Sequence, residues 1–222
     1  MSRQIVSPTV EEYLEQIYRL EQEWGVARTG HIAEIVGVSL GTVTNTIEAL
    51  KHQQLVTHEP YKGVKLTDAG LRIAVDVIRR HRLAECLLTD FLKLNWSSVH
   101  EHACRLEHAI TDVLTKPLEK ALGHPTSCPH GNPIPKACGG ILEEASQSLI
   151  DLPEGGKGVV AKIVKENHEV LEYLLTINLV PGTPIEVVEK APFNGPITLQ
   201  INGRRRPISR TLASIVWVKQ ED

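Results

Sequence analysis

The chain has 222 residues, of which 41% are hydrophobic and 23% charged, with 16 glycines and 13 prolines, and this excludes a disordered, collagenous or coiled-coil protein. No apolar run approaches the roughly 20 residues that span a bilayer, and the start, Met1-Ser2-Arg3-Gln4, has no signal-peptide core, so the expectation is a cytoplasmic protein without a membrane segment. A net charge of −3 lacks the basic surplus usual in phosphate binders.

Residues 10–23 place Val10, Leu14, Ile17 and Tyr18 on one face among acidic neighbours, which predicts an amphipathic helix ending at Trp24-Gly25. A short helix fits Gly30 to Val36, stopped by Gly37, and Ser39 is a natural N-cap for a third from Leu40 to His52. In that third helix Val43, Ile47 and Leu50 share one face, while Gly41, Thr42, Asn45 and Ala49 fall opposite. Leu55 to Glu59 and Val64 to Leu66, on either side of Tyr61-Lys62-Gly63, predict a two-stranded wing. Three helices and a hairpin within the first 70 residues are the outline of a winged helix-turn-helix, whose third helix enters the DNA major groove.

A long helix is expected from Thr67 through Glu85 and another from Ser98 through Leu114, both with more apolar surface than a winged helix needs; dimerisation accounts for the excess. Prolines and glycines between Pro117 and Asp151 read as a connector. Beyond it, Val159–Val164, Ile185–Val188, Ile197–Ile201 before Asn202-Gly203, and Ile215–Val218 predict a small SH3-like barrel, with Arg204-Arg205-Arg206 at a solvated hairpin tip. The fold class is therefore mainly α with a small β domain. Its expected divisions are a winged helix-turn-helix over 1–70, a helical metal-binding and dimerisation domain over 71–140, a linker over 141–155 and the barrel over 156–222.

Ten histidines outnumber the 4 tyrosines, 3 tryptophans and 2 phenylalanines together, and 4 cysteines are too few for a disulfide scaffold of this length. His100, Cys104, Glu107 and His108 recur at i, i+4, i+7 and i+8, so a helix would gather nitrogen, sulfur and oxygen donors on one stripe. His81 and Glu85 form another i, i+4 pair, and Glu12 and Glu15 lie one turn apart in the first helix. Burying such groups unpaired is costly, and a bound divalent ion removes the cost.

The segments Val10–Tyr18, Ser39–Thr46, Arg80–Glu85, Val99–His108 and Gly131–Pro135 resemble the diphtheria toxin repressor family of iron- or manganese-dependent transcriptional repressors. The resemblance implies a homodimer that binds palindromic double-stranded operator DNA when divalent metal is present and controls manganese or iron uptake genes. It assigns Glu12, Cys104, Glu107 and His108 to one metal site and His81, Glu85 and His100 to another, so that Mn²⁺ or Fe²⁺ occupies two sites per subunit, with Zn²⁺ able to substitute. Iron-responsive relatives carry methionine at the position of Glu12, manganese-responsive ones aspartate; at Cys104 the former have cysteine, the latter a carboxylate. This chain mixes the two patterns, and metal identity stays open. Glu15 resembles a ligand of the manganese-type members. Some relatives add a ligand from the barrel; a gap-free count back from Pro181-Gly182 reaches Asn167 and Val170, with Glu169 nearby, and none is assigned.

Residues 1–65 carry six basic and eight acidic side chains, so metal neutralisation of ligand carboxylates would favour docking on DNA. Ser39, Thr42, Thr44 and Asn45 at the start of the third helix, with Lys62 on the wing, are the expected DNA contacts. Two other readings compete. One is a metal-dependent hydrolase, although no nucleophile or oxyanion element accompanies the cluster. The other is a winged-helix protein with only a structural zinc held by His124, Cys128, His130 and Cys138, whose spacing lacks paired knuckles.

Overall fold

The computed structural model describes residues 6–59, 62–136, 140 and 145–220. They form two compact units, one made of the chain up to Arg80 with Pro135–Gly140, the other of His81–Ile134 with the chain from Ile141 onward.

In the first unit α1 (Pro8–Trp24) starts with Ser7 accepting from the Val10 amide and with Pro8 in the first turn, and it ends at left-handed Gly25. α2 (Thr29–Val36) stops at Gly37, and α3 (Leu40–His52) is capped by Ser39 as the sequence predicts. β1 (Val56–Glu59) pairs antiparallel with β2 (Gly63–Leu66), and Ala27 bridges Val64 as a third short partner of the wing. Gly63 has φ +101°, and a Cβ there would meet the Ala27 carbonyl oxygen at 2.7 Å, so this turn requires glycine. The core joins Tyr13, Leu14 and Ile17 of α1, Ile32 of α2, and Val43, Ile47 and Leu50 of α3 to Ile73, Ala74 and Val77 of α4 (Asp68–Cys86). Arg80 is fully buried here. Its guanidinium donates to Glu11 at 2.8 Å and to Asp76 at 3.3 Å, which ties α1 to α4 beside the two sequence positions, 12 and 81, singled out as ligands. This unit is a winged helix-turn-helix.

The second unit continues from α4 into a wide turn over Leu87–Phe91, then α5 (Val99–Leu106), a tight 3₁₀ turn over Glu107–Ala109 and α6 (Asp112–Ala121). The single helix expected over 98–114 is thus broken after Leu106. Helix resumes through Pro117, where a connector was expected, because Thr111 starts a new N-terminus; Pro117 lies inside α6 at the cost of one i→i−4 hydrogen bond.

The barrel is a six-stranded antiparallel sheet of β3 (Gln147–Ser148), β4 (Lys157–Ile163), β5 (Pro184–Lys190), β6 (Ile197–Ile201), β7 (Arg204–Ile208) and β8 (Val216–Gln220), in the order β3-β8-β4-β5-β6-β7. Bulges at Val160/Lys162 and Val187/Glu189 curl it into an SH3-like shape. Two helices absent from the sequence reading, α7 (His168–Thr176) and α8 (Arg210–Ile215), close it over a core that includes Leu171, Leu174, Leu199 and Val218. The run Arg204–Arg206 lies in edge strand β7 rather than at a hairpin tip; with Pro207 it makes an edge unfit for strand addition. Among the described residues no helix is long and apolar enough to cross a membrane.

Candidate metal centre

Within the second unit four segments deliver donors to one buried spot. α4 presents His81 and Glu85 one turn apart, α5 presents His100, the segment after α6 presents Cys128 and His130, and the loop between β4 and α7 presents Glu166. His81 Nε2 lies 3.2 Å from Glu85 Oε1 and 3.0 Å from His100 Nδ1. His100 Nδ1 donates to Glu166 Oε2 at 3.1 Å, and His130 Nδ1 donates to Glu85 Oε1 at 3.1 Å. The donors form two sets of four, His81/Glu85/His100/Glu166 and Glu85/Cys128/His130/Glu166, each with its atoms within 4.8 Å of one another.

The surroundings fix these side chains. His130 Nε2 donates to the Trp96 carbonyl at 3.1 Å, while the Trp96 indole donates to the Pro129 carbonyl at 2.9 Å and stacks edge-on against the imidazole. Asn132 donates both to the Ile163 carbonyl at 2.8 Å and to Glu166 Oε1 at 2.7 Å, fastening the barrel loop to the segment that carries His130. Main-chain pairing continues the attachment, with the Ile163 amide donating to the His130 carbonyl at 2.9 Å. These partners do for the donors what outer-shell groups do in metalloproteins: they set ring orientation and tautomer.

Burial opposes every charge here, and proximity overrides it. Burial alone would lower the pKa of His81, but Glu85, Cys104 and Glu107 hold it well above the usual imidazole range. His100 is raised to about 11 against burial, through Cys104, Glu166 and Glu85. Burial pushes Glu85 up while His81, His100 and His130 pull it well below the carboxylate range. Imidazoles and carboxylates thus face one another at hydrogen-bond distance, and Glu85 Oε2 is buried without a hydrogen-bond partner. Three imidazoles, two carboxylates and a thiol with an orphaned carboxylate oxygen fit a divalent transition metal, which would replace the protons.

Of the sequence-derived ligands, His81, Glu85 and His100 come together. Cys104 adjoins them, its Sγ 3.8 Å from His100 Nε2. Glu107 accepts from His81 Nδ1 at 2.6 Å and lies 3.4 Å from His108 Nε2, although the pair sits in a 3₁₀ turn rather than on the expected helical stripe. Glu12 lies on α1 in the other unit, accepting from Gln16 at 3.1 Å; Glu15, also on α1, pairs with Arg19. The structure adds three donors that the sequence reading did not assign to this centre. The sequence offers Cys128 and His130 only as part of the structural-zinc alternative. Of that zinc set, His124 is exposed and in none of the donor groups, and Cys138 lies outside the described residues. The gap-free count misses Glu166 by one position: Asn167 is the N-cap of α7, accepting from the amides of Glu169, which is exposed, and Val170, which packs partly buried against the barrel core. An Asn followed by a helical repeat was a legible cap signal.

The expected DNA contacts Ser39, Thr42, Thr44 and Asn45 are all exposed on α3, and Lys62 is exposed on the wing. Several are already engaged: Ser39 Oγ accepts from the Thr42 amide at 3.2 Å, Thr44 donates to the Leu40 carbonyl at 2.9 Å, and Lys62 pairs with Glu59 at 2.6 Å.

Three family models cover nearly the whole chain: the iron dependent repressor N-terminal DNA binding domain over 6–64, the iron dependent repressor metal binding and dimerisation domain over 67–136, and the FeoA domain over 147–220. The diphtheria toxin repressor of Corynebacterium efficiens is 32% identical over 225 residues, covering 96% of each chain. The chain belongs to the iron-dependent repressor family. The iron-dependent repressor IdeR of Mycobacterium tuberculosis (strain ATCC 25618 / H37Rv) is 34% identical over 209 residues, covering 88% of this chain and 89% of its own. A manganese-dependent transcriptional repressor solved in complex with manganese matches with a TM-score of 0.88 and 34% identity, over 96% of this chain and all of the other. As a family member the chain is a metal-activated transcriptional repressor, and the hydrolase reading falls, since the family is one of regulators and not of enzymes.

Proposed function

We propose that the protein acts in the cytoplasm as a homodimer that closes on a palindromic operator in double-stranded DNA when loaded with Mn²⁺ or Fe²⁺, and that it thereby restrains manganese or iron uptake genes. The observation that carries this reading is the buried cluster around Glu85, whose donors suit a divalent ion, in a chain that also contains a winged helix. The proposed ligands are Glu12, Cys104, Glu107 and His108 for one site and His81, Glu85 and His100 for the other. The relatives named for iron and for manganese support both metals, and the thiolates of a mixed donor set suit Fe²⁺ or Zn²⁺ while its carboxylates suit Mn²⁺. The proposed divisions remain 1–70 for DNA, 71–140 for metal and dimerisation, 141–155 as linker and 156–222 as barrel. Exposed Phe91, Leu92, Val113 and Leu114 support a dimer, because a monomer would leave these large apolar groups in water. Ser39, Thr42, Thr44, Asn45 and Lys62 are the proposed DNA contacts; without an arginine or glutamine reader among them, discrimination relies on hydroxyl, amide and shape readout.

The test is retention of a random-sequence duplex DNA pool by the full chain under anaerobic conditions with Mn²⁺, Fe²⁺ or Zn²⁺. Metal should enrich a two-fold-symmetric sequence, and Cys104→Ala and Glu12→Ala should each blunt the response. Equal retention by metal-free and metal-loaded protein at one ionic strength would refute the reading.

A further inference from the structure

We infer that the barrel carries a self-association site, in which the exposed ring of Phe193, on the turn between β5 and β6, enters a cavity between α7 and α8 of a second copy of this chain.

Phe193 is the most exposed large apolar side chain among the described residues. Its presentation is strained. Phe193 and Asn194 both take left-handed backbone, with φ +55° and +58°, a conformation that a bulky residue rarely adopts. Such strain persists only where the surroundings impose it, and here they do. The Ala191 amide donates to the Pro196 carbonyl at 3.0 Å and the Gly195 amide to the Pro192 carbonyl at 3.0 Å. Arg210, at the start of α8, grips the same turn, donating from Nε to the Gly195 carbonyl at 3.1 Å and from Nη2 to the Ala191 carbonyl at 3.4 Å. The turn is ordered before any partner arrives, which cuts the entropy cost of binding through it.

The same domain offers the receptor. Glu169, Val170 and Tyr173 of α7, with Ser209 and Leu212 at α8, line an open cavity of about 320 Å³; a cavity of about 150 Å³ already admits benzene. Val170 and Leu212 rest on the barrel core, and Tyr173 is half exposed. Phe193 does not fill this cavity in its own chain, because its ring is wholly in solvent. Ser209 lines the cavity while Arg210, the next residue, holds the turn, so knob and hole adjoin on one domain. Such a self-complementary rim suits two copies related by two-fold symmetry, each ring entering the cavity of the other. Charge agrees with shape. Among the described residues Arg210 bonds carbonyl oxygens and pairs with no carboxylate, and the Glu169 carboxylate pairs with no cation, so a cation beside the knob and an anion beside the hole are left to meet across the contact. One ring and its rim from each copy falls short of the roughly 1,200–2,000 Å² of stable complexes, so the barrels pair weakly and increasingly with concentration.

The test places the photoreactive analogue p-benzoylphenylalanine at position 173 of the full-length protein, mixes it with isotope-labelled full-length protein, and identifies cross-linked peptides by mass spectrometry after illumination. The link should join position 173 of the unlabelled copy to residues 191–196 of the labelled one. Phe193→Ser in the labelled copy should lower its yield at least about tenfold, as loss of a central aromatic anchor does, and Glu169→Lys in the probe-bearing copy should lower it several-fold; both positions are exposed, so neither change threatens the fold. Absence of a link to the labelled 191–196 peptide, or a yield indifferent to Phe193→Ser, overturns the proposal. Neither metal nor DNA enters this measurement, so its failure leaves the repressor reading standing.

Discussion

Gly131 shows how much hangs on one residue. Its φ is +84°, and a Cβ would meet the Ala161 carbonyl oxygen at 2.0 Å, so only glycine lets the chain lie against β4 with His130 and Asn132 on either side. Gly131→Ala should destabilise the second unit by at least 1–3 kcal/mol and weaken metal binding more than tenfold; calorimetric metal titration and thermal unfolding check both, and wild-type affinity would contradict the account. Thiol chemistry separates residues in the same way. Burial raises the Cys128 pKa to about 12 and pushes Cys86 higher still, whereas at Cys104 hydrogen bonds with His100 and His81 outweigh burial and lower it. Iodoacetamide should therefore label half-buried Cys104 ahead of Cys86 and Cys128 in metal-free protein, and bound metal should suppress that labelling. Peptide mass spectrometry reads the order, and equal rates at the three thiols would count against the lowered Cys104 pKa.

At the scale of elements, helix ends carry much of the specification. Ser39 caps α3, and Ser39→Ala should cost about 1 kcal/mol of stability, seen as a lower urea midpoint, with weaker DNA retention because the cap and the proposed contact are one side chain. An unchanged midpoint would mean that the cap contributes nothing. The helices of the first unit were legible because their apolar residues repeat at 3.6 and Ser39, Gly25 and Gly37 mark their ends. After Val99 the apolar and donor residues sustain a helical period that the chain abandons at Leu106 for a 3₁₀ turn, and the proline- and glycine-rich stretch from Pro117 reads as a connector although α6 continues to Ala121. Periodicity records which side chains face inward. It does not record where a helix tightens.

For the whole molecule, metal binding to the folded state alone adds stability by mass action. Free metal at about 100 times the dissociation constant should add about 2.7 kcal/mol, a rise in Tm of roughly 5–10 °C for a chain of this size. Scanning with and without a chelator measures it, and a Tm indifferent to chelation would contradict a buried centre open only to metal. The amino-acid sequence by itself determined the winged helix, the β-rich C-terminal domain and the pairing of His81 with Glu85, because each rests on local order: caps, turns, and residues one helical turn apart. Only the tertiary structure decided that Cys128, His130 and Glu166 join them. Those three come from a connector and a loop, where no period fixes direction, and Asn132, Trp96 and the pairing of the Ile163 amide with the His130 carbonyl set their positions. Cys128, His130 and Glu166 lie 43 to 81 positions beyond Glu85, too far for any window of the chain to carry their convergence.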